Sequence, residues 1–127
     1  MRAAFVVFCG VALWTLLWLG GNTALASLIP HVYRDDGTTG HAGVLGVILL
    51  LSGLCSLAAG YVVSALARGR WRGHAIALGA ALLAIGVLVQ SQYWQLLPVW
   101  YHVIFLAGLL PVSLLGARLR AGRTPSA

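Results

Sequence analysis

The chain contains no lysine and no glutamate, and its only carboxylates are the sequence neighbours Asp35 and Asp36. That leaves no paired intramembrane carboxylate. No nucleophile–base pair and no Gly-rich phosphate loop stand out either. Charged residues of both signs make up 8% of the 127 positions, where a soluble domain carries about 25%. So few charges cannot cover a globule with polar surface, so lipid must cover it. Cysteine is scarce as well. Cys9 and Cys55 both fall in apolar stretches at different depths, which argues against a disulfide and for small apolar packing residues.

What is abundant is apolar side chain: 61% of the chain, with a mean hydropathy of +0.95. A helix that crosses the hydrocarbon core needs about 20 mostly apolar residues. Residues 3–26, 43–67, 73–89 and 96–115 qualify, the third being short, and none of the four holds a charge. Ionisable groups inside spans usually mark proton or ion pathways, so their absence speaks against a relay. The expected fold is all-α, with four transmembrane helices in an antiparallel up-down bundle within a single domain, 1–127. Short connections at 68–72 and 90–95 place successive helices side by side. The longer stretch 30–42, rich in Asp, Gly and Thr, reads as a polar outer loop, and 116–127 as a cytoplasmic tail.

The arginines orient this bundle. Arg2, Arg68, Arg70, Arg72, Arg118, Arg120 and Arg123 share one side, and Arg34 stands alone on the other. Short basic loops stay cytoplasmic, so both termini are expected inside. The net charge of +6 is then matched to anionic lipid headgroups rather than to nucleic acid. Tyr93, Trp94, Trp100 and Tyr101 at the outer boundary, with Trp71 at the inner one, read as an interfacial aromatic belt; a ligand cage is the alternative for the outer group. Ala24-Leu25-Ala26-Ser27 satisfies the small-residue rule of a signal-peptidase site. The long apolar run before it, with Trp14 and Trp18, favours an uncleaved span.

Helix association in lipid depends on close packing and polar contacts. Ser52, Ser56, Gly60 and Ser64 recur every fourth residue and so form one stripe of the second helix. The third helix carries small residues such as Gly79, so the second and third helices are expected to form the tight pair. A polar lining for a translocation path is the other reading of the serines. Pro111 should kink the fourth helix, with Ser113 as a candidate to compensate the freed carbonyl. Asn22 should hydrogen-bond across to another helix. The stretches VSALARGR at 63–70 and VSLLGARLR at 112–120 hint at a parallel duplication.

His31, His41 and His102, with Asp35 and Asp36, form an expected polar cluster on the outer face. Their spacings fit no metal motif, and histidines facing water are the simpler reading; a metal or haem role is the alternative. His74 beside Arg72 suits a lipid-headgroup contact. No catalytic residue, metal or cofactor is called for, and the chain is not expected to be an enzyme. The expected partners are membrane lipids, further copies of the chain or another membrane protein.

GYVVSALARGRWRGHAIALG at 60–79, QYWQLLPVWYHVIFL at 92–106 and LLGARLR at 114–120 together resemble small four-helix bacterial inner-membrane proteins with no assigned function. The resemblance covers the second to fourth helices and implies a bacterial inner-membrane location; it brings no functional residue with it. The chain does not resemble small multidrug transporters, because its first helix lacks glutamate, nor fluoride channels, whose Asn- and Phe-bearing motifs are missing. The first expectation for function is a non-enzymatic accessory or assembly partner. The second is a small homo-oligomeric transporter or channel subunit, and the third a redox or metal-binding protein using the outer histidines.

Overall fold

The computed structural model describes residues 2–35, 38–67 and 69–123, the side chains of Arg2 and Arg123 excepted; Asp36, Arg68 and 124–127 lie outside the described residues. Four long helices, α1 (Arg2–Leu28), α2 (Ala42–Ala67), α3 (Trp71–Gln92) and α4 (Val99–Arg123), make up almost all of it, with a 3-10 turn at Pro30–Val32. Each helix is long and apolar enough to cross a membrane, and there is no strand among the described residues.

The helix ends differ from expectation for local reasons. With 22 residues, α3 is full length rather than borderline, reaching about 33 Å at 1.5 Å per residue. Among its added polar residues, the Ser91 hydroxyl donates to Leu88 O at 2.7 Å. α4 starts at Val99 instead of 96 because Pro98 disfavours helical geometry at Leu97. At its other end α4 runs on through Ala117, Leu119 and Ala121 to Arg123, so the expected tail is helical as far as it is described.

The core runs along α2, whose most extensive interface is with α4, not with α3. Gly60 and Gly116 explain this. A Cβ on Gly60 would stand 2.0 Å from Ser113 O of α4, and one on Gly116 would stand 2.2 Å from Leu57 O of α2. The two backbones touch where each helix has no side chain. The expected α2–α3 pair is therefore corrected: the short turn through Gly69 makes α3 a neighbour in sequence, but the glycine faces meet across α2 and α4. Gly79 also serves α4, its missing Cβ making room for Leu110. α1 lies on the rest of α2, with Gly10 against Val63 and Gly21 against Leu51.

Two further expectations are corrected. Asn22 does not reach another helix; its Nδ2 donates to Trp18 O, four residues back, at 2.9 Å. Ser113 does not serve the carbonyl that Pro111 leaves free, which is that of Ala107. Its hydroxyl donates to Leu109 O at 2.7 Å.

Candidate functional site

Two polar features lie inside this apolar bundle, and each forms because a polar side chain falls on a buried helix stripe. The first is the α2 stripe. Ser52, Ser56, Gly60 and Ser64 are all buried. Ser56 accepts a hydrogen bond from Trp14 Nε1 at 3.0 Å, and Gly60 is closed by α4 backbone. The Trp14 ring stacks on Trp18, centroids 5.2 Å apart, and both present faces or edges to Phe105. α1 is thus fastened to α2 by an indole–hydroxyl bond and to α4 by ring contacts.

The second feature is at the loop end, where the 29–41 loop meets the turn between α3 and α4. His102 stands in the first turn of α4 and is fully buried. Its Nδ1 donates to the Oε1 of Gln90, itself buried near the end of α3. Trp94 stacks on the imidazole with centroids 4.4 Å apart and planes 12° apart. The other ring nitrogen, Nε2, is buried without a partner. Tyr101 and Phe105 continue the row, so rings run from Trp94 through His102, Tyr101 and Phe105 to Trp18 and Trp14.

The loop over this site is tied down by side chains. Arg34 Nη1 donates to Thr38 Oγ1 at 3.0 Å and to Leu96 O at 3.1 Å, joining the α1–α2 loop to the α3–α4 turn. Thr39 Oγ1 donates to Val32 O at 2.7 Å and accepts from His41 N at 3.2 Å. His41 Nδ1 in turn accepts from Val44 N at 3.3 Å and so caps the start of α2. The Tyr33 hydroxyl is buried without a partner, and burial pushes its pKa above the ordinary 10.0.

The expected outer-face cluster is therefore taken apart. His31 and Asp35 are exposed, His41 is a helix cap, Asp36 lies outside the described residues, and His102 is in the core rather than facing water. Among the described residues no three His, Cys, Asp or Glu side chains converge. The aromatic group divides too: Tyr93, Trp94 and Trp100 are exposed as belt residues are, whereas Tyr101 is buried. Gln90, missed in the sequence, is the residue that holds His102. Its signal was the i, i+4 stripe Leu78, Leu82, Gly86 and Gln90, all buried.

Comparison with protein-family models, with curated proteins and with solved structures finds no match to this chain.

Proposed function

We propose that this chain is a bacterial inner-membrane protein that acts as a non-enzymatic accessory or assembly subunit, its outer helix faces contacting other membrane proteins. The helices run up and down as an antiparallel bundle with both termini in the cytoplasm. Seven of the eight arginines near one end support that orientation, and neighbours such as Gly10 with Val63, Gly21 with Leu51 and Gln90 with His102 support the alternating directions.

One observation carries the functional reading: the serine stripe that could have lined a polar path is used up in packing. Ser56 is taken by Trp14, Gly60 by the α4 backbone, and Cys55 beside them is 1% exposed. What the bundle offers outward is apolar helix surface, Leu16 being 70% and Leu88 66% exposed.

Photo-crosslinking in native membranes tests this. A benzophenone side chain placed at Leu16 or Leu88 should yield one recurring adduct with a different membrane protein, identified by peptide mass spectrometry. Adducts with lipid alone would overturn the proposal, and an adduct of two copies of the chain would put the homo-oligomeric transporter first. Cys55 in a Cys9→Ala background should resist a water-soluble maleimide from both membrane sides until SDS is added. Labelling in intact membranes would mean water reaches the stripe, against the accessory reading.

A further inference from the structure

At the arginine end, the turn between α2 and α3 is open at its tip. Gly69 has φ +70°, a left-handed conformation suited to glycine, and at neither Gly69 nor Gly73 would a Cβ meet any atom within 4 Å. The start of α1 lies beside this turn, and two adjoining cavities of about 460 and 510 Å³ open there. One is walled by Val7 of α1 and Ala77 of α3, the other by Val6 of α1 and Leu66 of α2. Both have Arg70 and His74 at the rim.

The charges at this rim meet no acidic side chain among the described residues. Among the described residues, neither the Arg70 nor the Arg72 guanidinium has a carboxylate partner; Arg72 lies over the Trp71 ring, 5.3 Å from its centroid. The one acidic residue among the described residues, Asp35, precedes α2, whose 26 residues separate it from this turn by about 39 Å. His74 is fixed beside Arg70 by its bond to Arg70 O. The result is a cleft that is cationic at the rim and apolar along its walls, with an indole beside it.

We propose that this cleft is a binding site for one anionic phospholipid: Arg70 and Arg72 take the phosphate, and an acyl chain lies in the groove between Val7 and Ala77. Guanidinium groups present forked donors that match phosphate oxygens. The apolar walls are what separates a lipid from a free phosphate here, because a soluble anion would leave them uncovered. The proposal rests on the reading of the four helices as membrane spans, and it stands whether or not the chain assists another protein.

Native mass spectrometry of the purified full chain, titrated with phosphatidylglycerol, provides the test. The expected result is one lipid retained per chain, with phosphatidylcholine retained much less. Arg70→Gln/Arg72→Gln should weaken that retention about thirty-fold, the product of roughly fivefold per basic residue. Arg118→Gln, an exposed arginine outside the cleft, should leave it unchanged. Ala77→Phe, which fills the groove without altering charge at an exposed position, should also abolish it. Equal retention of both lipids, an equal loss in Arg118→Gln, or full retention in Ala77→Phe would each overturn the site. Displacement of the lipid by millimolar inorganic phosphate would overturn the lipid assignment in favour of a soluble anion.

Discussion

Replacing Gly60 with alanine should separate α2 from α4, and its effect can be worked from distances. The new Cβ would start 2.0 Å from Ser113 O, while real Cβ atoms essentially never come within 3.0 Å of a neighbour, so α4 must retreat by about 1 Å. The obstacle is backbone on a helix, which cannot rotate aside as a side chain can. A gap of 0.5–1 Å forfeits a quarter to a half of the dispersion between facing atoms, each pair contributing about 0.1–0.2 kcal/mol. Over roughly 30 facing pairs the loss is about 1–3 kcal/mol, the usual range for overpacking. Gly116→Ala should do the same, because its Cβ would meet Leu57 O at 2.2 Å, and the double variant should cost less than the sum because one retreat relieves both clashes. Gly53→Ala is the control, since nothing lies within 4 Å of its Cβ position. Reversible unfolding in mixed micelles, followed by circular dichroism, gives the free energy of each of the four variants. Gly60→Ala matching Gly53→Ala to within about 0.3 kcal/mol would refute the argument that this contact sets the α2–α4 distance.

Two other outcomes are expected. Gln90→Leu leaves the buried His102 Nδ1 unpaired and should cost about 1–3 kcal/mol, whereas Gln90→Leu/His102→Phe should recover much of it by removing both polar groups and keeping a ring on Trp94; strictly additive losses in the same unfolding assay would contradict the pairing. Because the Tyr33 pKa is raised in the folded chain, the unfolded chain ionises first, so the Tyr33 contribution is fully present below pH 10 and is lost as pH rises above it. Tyr33→Phe should flatten that alkaline decline and, by deleting an unpartnered buried hydroxyl, cost no stability at neutral pH. An unchanged slope between pH 10 and 11 would count against it.

The four helices were legible because apolar run length alone decides what lipid can cover, and polar helix-formers beyond 89 and 115 then misled only the ends. The Ser52–Ser64 stripe was legible as a packing face. Its partner was not, because chain order favours Gly79 on the adjacent helix while close approach requires glycine on both sides, which only Gly116 supplies. The matching α4 stripe, Tyr101, Phe105, Leu109, Ser113 and Ala117, is buried throughout, yet its mixed chemistry hides the four-residue spacing. His102 was misplaced for a related reason: a histidine near a span's end reads as surface, and only the three-dimensional meeting with Gln90 and Trp94 makes burial affordable. Nothing in the spacing of His31 and His41 distinguishes a helix cap from a solvated side chain; that distinction needs the turn through Thr39.

The glycine contact also has a consequence for the order in which the chain is made. α2 leaves the ribosome before α4, so its closest partner is the last of these four helices to be made. Until α4 arrives, the face around Gly60 is open to lipid, and α1 with its Trp14–Ser56 bond is what α2 has already gained. Independently inserted helices that associate afterwards are the normal course in a membrane. Here α4 acts as a closing wedge, sealing α2 and α3 at once and bringing Leu96 O within reach of Arg34. A chain released at Gln92 would therefore hold three inserted helices around an unfilled seam, which a quality-control protease or a foreign helix could enter.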